Sequence, residues 1–364
     1  METKTVRLGD FATFVNEKCY LNEASRNTYV STENLKPNRL GVFFPITKLP
    51  RTNKVNTFAK GDILIANIRP YFKKIWHANI AGTHSTDVLN IRSNSKQLLQ
   101  SYLAVVLSDD RFFDYMMATS KGTKMPRGDK KAIMDFKFEL PSFKDQIIIS
   151  DSISIINQKI ELNQQINKNL QKLKDDIWIS QRVDKKTSLS NLMTIQSGKR
   201  PIDRYDNKFR LKELYPIIGA NGVMGWTSKA LTAGTIITTG RVGTHGVVNM
   251  FDEPVWVSDN SFVISSKYEE VAYEILRCDV KFLTLVHGTT QPLITQKDLK
   301  QYVVSIPSNN QLKKVNEHLK VYTNLINVNN KQNKFLTALR NLLLPKLLSG
   351  EIDLSDVKEV IQGD

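Results

Sequence analysis

The sequence predicts an α+β protein: two tandem α/β globular domains separated by two long antiparallel coiled-coil helices, with pseudo-two-fold symmetry. Three observations predict it. First, one order of motifs is written twice. Gly122-Thr-Lys-Met-Pro126, Phe138-Glu-Leu-Pro141 and Gln146 return as Gly288-Thr-Thr-Gln-Pro292, Val304-Ser-Ile-Pro307 and Gln311. Second, each copy runs into a long apolar-periodic stretch that reads as helix. Third, an offset of 166 residues carries Ile149, Ile153, Ile156, Ile160, Asn163, Asn167, Leu170, Leu173 and Ile177 onto Val315, Leu319, Tyr322, Ile326, Asn329, Asn333, Leu336, Leu339 and Leu343. That period exceeds a solenoid repeat and marks a duplicated domain-plus-helix unit.

The pattern divides the chain into a first domain at 1–141, a first spacer helix at 142–182, a second domain at 183–307, a second spacer helix at 308–345 and a tail at 346–364. In the first domain Gly61-Asp-Ile-Leu-Ile-Ala66 reads as a turn and a buried strand, and Asp87–Ile91 as another. Leu98, Tyr102, Val105 and Val106, then Phe112, Phe113, Met116 and Met117, give one or two helices an apolar face. Ala132–Leu140 alternates as a strand stopped by Pro141. The second domain mirrors this order, with strands at 234–238, 261–264 and 301–306 and a helix at 269–277. Both are expected to hold a twisted, largely antiparallel sheet. The repeat offset drifts from 181 at Leu8/Leu189 to 173 at Gly61/Gly234 and 166 at Gly122/Gly288. Loops have therefore diverged while the helices keep register, and shared folds with different loops suit different ligands.

Apolar residues step by four and three along each helix, the seam of a coiled coil. Ile149 to Ile177 spans roughly 42 Å at about 1.5 Å per residue. Asn163 and Asn329 stand at the centres of the two seams. With ends matched, Ile149 meets Leu343 and Asn163 faces Asn329, an amide pair that penalises slipped registers. Such a spacer suits two basic domains reading half-sites about one turn, roughly 34–36 Å, apart on B-DNA.

At 364 residues and 41% hydrophobic composition the chain can bury two ordinary cores. It has no eighteen-residue apolar run and no apolar leader core at Met1–Val6, so a cytoplasmic protein without membrane contact is expected. Cys19 and Cys278 are isolated, which argues against a disulfide framework or a zinc site. The net charge is +15, of which +9 falls in residues 1–141 and +3 in residues 183–307. Positive charge on the globular domains is what a phosphate-facing surface needs.

The duplicated order, together with Gly288-Thr-Thr-Gln-Pro-Leu-Ile-Thr295, the strand into Ile306-Pro307 and the ending Leu344-Pro-Lys-Leu-Leu-Ser-Gly-Glu-Ile352, resembles the specificity subunit of type I restriction–modification enzymes. Gly61–Ile75 and Gly240-Arg-Val-Gly-Thr-His-Gly246 also look like that family's recognition domains. The resemblance implies two target-recognition domains on double-stranded DNA, joined by conserved spacer helices. It implies two modification subunits that carry S-adenosylmethionine and methylate adenine N6, and two restriction subunits driven by ATP with Mg²⁺. No cofactor is expected in this chain. Ser142-Phe-Lys-Asp-Gln146 and Ser308-Asn-Asn-Gln311 lack the fuller acidic residue–glutamine pair often seen there, which leaves the helix starts open.

Catalytic motifs are not found in the sequence. It has no Asn/Asp-Pro-Pro-Tyr, no GxxxxGK[ST] loop, and no HxxxH or HExxH pair among His77, His84, His245, His287 and His318. Gly219-Ala-Asn-Gly222-Val-Met-Gly225 lacks GxGxxG spacing and reads as a tight loop, and Asp109-Asp110 and Asp175-Asp176 as solvated helix faces. No metal site is expected. What remains is binding chemistry. Arg69, Tyr71, Lys73 and Lys74 follow a strand as a phosphate-contacting loop. Lys121, Lys124, Arg127, Lys130 and Lys131 cluster around Gly122 and Gly128, which permit close backbone approach. In the second domain Thr289, Thr290 and Gln291 offer neutral hydrogen-bonding groups, and Gln pairs bidentately with adenine. Its cations are expected from Lys199, Arg200, Arg204 and Arg241, the last able either to reach guanine or to brace its loop. Two other classes fit less well: an RNA-binding or scaffold adaptor whose helices recruit a partner, and a stand-alone nuclease with two DNA-binding arms.

Overall fold

A computed structural model describes residues 2–44, 48–181, 185–206, 214–288 and 292–355, and of Asn309 the backbone alone. The chain forms two compact units, Met1–Asn163 with Lys331–Asp364, and Gln164–Asn330. Each has the mixed α+β character the sequence predicts, and each is completed by stretches of both long helices, Phe143–Ser180 and Asn309–Ser349.

In the first unit Thr3–Arg7 pairs antiparallel with Lys137–Pro141 and closes the globular part. One four-stranded antiparallel sheet runs Ala12–Phe14, Val88–Ser93, Ile63–Ala66, Ile75–His77. A second runs Lys18–Tyr20, Lys54–Phe58, Gly82–His84, Tyr29–Val30, its last pair parallel. The β-branched Ile63 and Ile65 side chains are fully buried against Tyr102, Leu103, Phe112 and Met116 from helices Gln100–Val106 and Asp110–Ala118. Ile149 and Ile153 of the first long helix and Leu344, Leu347 and Leu348 of the second join that core, as does Leu354 of the tail.

The second unit repeats the plan. Lys185–Ser188 pairs with Val303–Ile306, and the four-stranded sheet runs Thr194–Ser197, Ser261–Ser265, Ile236–Gly240, Val248–Phe251. A three-stranded sheet holds Gly222–Thr227, Tyr215–Gly219 and Trp256–Val257. Trp178, Leu312, Val315 and Leu319 from the long helices pack on Ile237, Phe262, Ile264 and Leu276.

One half of a capping box marks each helix start. The Asp145 N–H donates to Ser142 Oγ at 3.2 Å, whose hydroxyl donates back to Asp145 at 2.9 Å. Ser308 N–H and Oγ–H both donate to Gln311 Oε1. Gln311 therefore matches Asp145, not Gln146. Gln146 is buried instead, accepting from Leu99 N and donating to the Gln97 and Pro141 carbonyls.

Within each unit the helices run antiparallel, but the register differs from end-matching. The expected Asn163–Asn329 pair is replaced. Asn163 Nδ2 donates to Asn333 Oδ1 at 2.9 Å and Gln332 Oε1 at 2.7 Å, while Asn329 Nδ2 donates to Asn167 Oδ1 at 2.8 Å. A slip of one turn keeps an apolar seam in contact, so apolar matching alone does not choose the register. Buried polar partners do, because an unpaired amide there costs about 1–3 kcal/mol. Arg340 with Asn157 in the first unit, and Lys174 with Thr323 in the second, fix the same alignment.

Other expectations also need correcting. Ala132 lies in a short helix, Lys130–Met134, capped by Asp129, and the strand begins only at Lys137 and takes in Pro141. Gln301 ends the helix Gln296–Gln301. The helix at Glu269–Glu274 continues as a π-turn over Ile275–Asp279. The second long helix runs through Pro345 to Ser349, beyond the expected end at 345. Asp109 is a buried N-cap, and Asp175 is half-buried and paired with Arg277 at 2.7 Å.

Lys174 is 1% exposed, with Nζ 2.9 Å from Glu270, 3.2 Å from Glu274 and 2.6 Å from Thr323 Oγ1. Burial pushes the Glu274 carboxyl up, against the pull of Lys174 and Arg277. Lys174→Ala leaves the buried Glu270 without a cation and Glu274 with Arg277 alone, so it is expected to destabilise the second unit by about 3–5 kcal/mol. Amide exchange across residues 185–306 measures this, and a cost below about 1 kcal/mol contradicts the pairing.

Candidate nucleic-acid interface

In the first unit the chain leaves the Ile63–Ala66 strand into Asn67–Lys74. Arg69 (φ 51°) and Lys73 (φ 50°) adopt left-handed backbone on either side of a single turn, Pro70–Phe72. Such residues persist only where neighbours over-determine them. Here Arg69 N donates to Pro126 O at 2.8 Å, Gly128 N to Asn67 O at 3.0 Å, and Lys121 and Arg127 exchange backbone bonds of 2.9 Å. The two expected loops, 69–74 and 121–131, are thus zipped into one surface.

Sorting their side chains separates exposed cations from structural ones. Arg69, Lys124 and Lys131 are exposed with no acidic partner among the described residues. Lys121 and Arg127 are exposed but paired with Asp129 at 2.5 Å and Asp87 at 2.9 Å. Lys73 and Lys74 are half-buried, on Asp110 at 2.7 Å and the Thr32 carbonyl at 2.5 Å, and burial lowers both ammonium pKa values. Lys130 lies over the Phe14 ring. Lys130 and Lys131 open a helix, where the dipole disfavours cations, so helix stability does not account for them. Tyr71 and Phe72 present 48% and 40% of their surface, ring centroids 4.7 Å apart.

The second unit builds the matching junction from different residues. Its Ile236–Gly240 strand leads into Arg241–Gly246. Ile294 N donates to Arg241 O at 3.0 Å, Gly243 N to Pro292 O at 3.2 Å, and the His245 ring lies between the Gly240 and Pro292 carbonyls. Arg241 is half-buried, and its Nε is enclosed without a partner among the described residues. Thr289, Thr290 and Gln291 lie outside the described residues. Lys199 N donates to Val257 O and its carbonyl accepts from Trp256 Nε1. Arg200 is exposed, whereas Arg204 Nη2 donates to Met224 O at 2.7 Å and braces the hairpin that turns at Ala220-Asn221. That turn meets the Arg241 loop, because a Cβ on Gly240 would lie 2.9 Å from Ala220 Cβ. Asp203 pins the segment through Thr227 and the Ser228 N–H and hydroxyl, which hold its carboxyl down to about 2.

Sequence reasoning missed Asn38 and Arg39, both left-handed, and Arg340 behind them. Pro37-Asn38 was the available turn signal. The ligand-type atoms of Asp175, Glu274 and Cys278 lie within 4.8 Å of one another. The carboxylates are engaged by Arg277 and Lys174, and burial pushes the Cys278 thiol up to about 11, so the donor set does not fit a metal.

Two similar units, each joining two loops beside its main sheet, find a match among known proteins. The family model for the type I restriction modification DNA specificity domain matches residues 1–172 and again 184–338. The chain belongs to that family. It is 22% identical over 456 residues to the type I restriction enzyme HindI specificity subunit of Haemophilus influenzae, covering 96% of this chain and 99% of that one. It is also 22% identical over 415 residues to the MjaVIII specificity subunit of Methanocaldococcus jannaschii, covering 97% and 94%. The fold is shared with the crystal structure of the type I S subunit from M. genitalium, at a TM-score of 0.59, 15% identity and coverage of 95% and 96%. Among the described residues, no helix is long and apolar enough to cross a membrane.

A Cβ on Gly128 would strike Met116 Cε and lie 2.8 Å from Asn67 Oδ1. Gly128→Ala is therefore expected to part the two loops of the first unit, seen as faster amide exchange at Arg69, Lys121 and Arg127. Unchanged exchange at these amides contradicts the zipped junction.

Proposed function

We propose that this chain is the non-catalytic DNA-recognition subunit of a type I restriction–modification complex. Each unit reads one half of a bipartite, asymmetric target, and the chain positions adenine-N6 methyltransferase subunits on it. The observation that carries this reading is the repeated loop junction, made of different side chains in each unit, with exposed cations on the first and Arg241 within the second. Backbone bonds preorganise the loops, and exposed Arg69, Lys124, Lys131 and Arg200 supply sequence-independent phosphate contacts. Arg127, Tyr71 and the Arg241 loop are the candidates for contacts at the base edges, with Thr289, Thr290 and Gln291 proposed from sequence alone.

The long helices carry the partners. Ile155 and Leu162 are exposed on the first, and the residues matched to them by the duplication, Val321 and Val328, are exposed on the second. Repeated exposed apolar positions support the docking of two copies of one partner, the modification subunit, with restriction subunits joining in turn. S-adenosylmethionine, ATP and Mg²⁺ belong to those partners in this reading, and the complex is cytoplasmic. The chain's own chemistry is binding.

Sequencing N6-methyladenine in the source genome with and without this gene tests the proposal. One motif with two unlike halves is expected to disappear on deletion, and retention of every motif overturns it. Binding of the full chain to a fragment carrying that motif gives a second check. Arg69→Ala, Lys124→Ala and Lys131→Ala are each expected to lower the slope of log affinity against log salt by about one. A slope equal to that of the unaltered chain removes the residue from the phosphate-contacting set.

A further inference from the structure

The four non-glycine residues with left-handed backbone among the described residues are Asn38, Arg39, Arg69 and Lys73, and all meet at one junction of the first unit. Asn38 N donates to Phe72 O at 2.9 Å and Arg39 N to Lys73 O at 3.0 Å, so the 38–39 elbow seats the Arg69–Lys73 turn. Asp110 accepts from both Arg39 and Lys73, which ties the elbow to the turn a second time. Strain at four adjoining positions needs an external hold.

Arg340 of the second long helix supplies one. Its Nη2 donates to Asn38 O at 3.1 Å, and its Nη1 to Arg39 O and Asn157 Oδ1, each at 3.1 Å. The guanidinium is 3% exposed and has no carboxylate partner among the described residues. Burial, with Arg39 nearby, brings its pKa down to about 10. A buried cation answered only by carbonyls and amides is unfavourable in itself, so its packing role alone does not explain it. The duplication offers an internal control. Lys174 occupies the matched position and bonds Thr323, the match of Asn157, yet its remaining donors go to Glu270 and Glu274. Among the described residues, only in the first unit does this helix position reach the carbonyls beneath the loop. A planar fork spans two adjacent carbonyls, and a lysine ammonium does not match that geometry.

We infer that Arg340 is a positioning residue: through the Asn38 and Arg39 carbonyls it holds the strained Arg69–Lys73 turn, and so sets how strictly the first unit reads its half of the target. The inference rests on the DNA-recognition reading of that turn. It makes the second long helix, proposed above to carry a modification subunit, part of the reading apparatus of the first unit.

Two measurements on Arg340→Ala and Arg340→Lys test it. In the full chain without DNA, amides in 36–41 and 69–74 are expected to exchange roughly tenfold faster in both variants, the effect of about 1.4 kcal/mol, with 241–246 unchanged. In cells expressing either variant with the modification subunits, N6-methyladenine sequencing is expected to show degenerate bases in one half of the motif and an intact other half. Unchanged exchange in both variants overturns the inference, as does faster exchange with both halves intact or with both relaxed alike. Should Arg340→Ala fail to fold, Arg340→Lys, which keeps the charge and the stem, decides. If the unaltered chain directs no methylation motif, the DNA-recognition reading falls, while the exchange arm still judges the anchoring by Arg340.

Discussion

A small set of side-chain amides in the helix seams governs the rest of this molecule. Neither unit has a complete core without stretches of both long helices: Ile149, Ile153, Leu344 and Leu347 in the first, Trp178, Val315 and Leu319 in the second. Apolar seams alone tolerate a one-turn slip, and a slip here would move every one of those residues away from its sheet. Asn163 on Asn333 and Asn167 on Asn329 make the slip unfavourable, since end-matching lets Asn163 face Asn329 but takes the half-buried Asn167 and Asn333 from their partners. The amides are a modest source of stability and a strong source of alignment.

On that frame the two units diverge in a consistent way. Closing strands, the strand order of the main four-stranded sheet and the helix starts are repeated, while the loops beside the main sheets are not. The first unit answers its strained turn with paired cations and a buried arginine. The second answers with glycines, a histidine between two carbonyls, and an Arg241 whose Nε is enclosed. A duplicated scaffold with independent loops is what two unlike half-sites require, because backbone and phosphate contacts can be kept while base-facing groups change. The matched pair Lys174 and Arg340 shows the same divergence inside the frame, where one position serves an ion-pair cluster in one unit and a loop anchor in the other.

Much of this was legible in the chain. The duplication, the strands at Ile63–Ala66 and Ser261–Ser265 and the long helices follow from apolar periodicity, which local sequence carries directly. The register was not, since end-matching weighs apolar contacts and ignores where Asn157, Thr323, Lys174 and Arg340 must find partners. Ala132–Leu140 reads as alternation because Asp129 caps a single helical turn that happens to share its polarity pattern. The basic runs were visible, but the sequence could not show that Lys73 and Lys74 are turned inward while Arg69 and Lys124 have no acidic partner among the described residues. Nor could it place Arg340, some three hundred positions away in sequence, behind the elbow at Asn38 and Arg39.

The claim that each unit reads its own half of one target is open to a direct test by replacing residues 185–306 with residues 4–140, cutting where the closing strands pair in each unit. N6-methyladenine sequencing in cells that express the chimera with the modification subunits gives the outcome. The account requires a new symmetric motif in which one original half occurs twice, on opposite strands. A motif that keeps both original halves would contradict it.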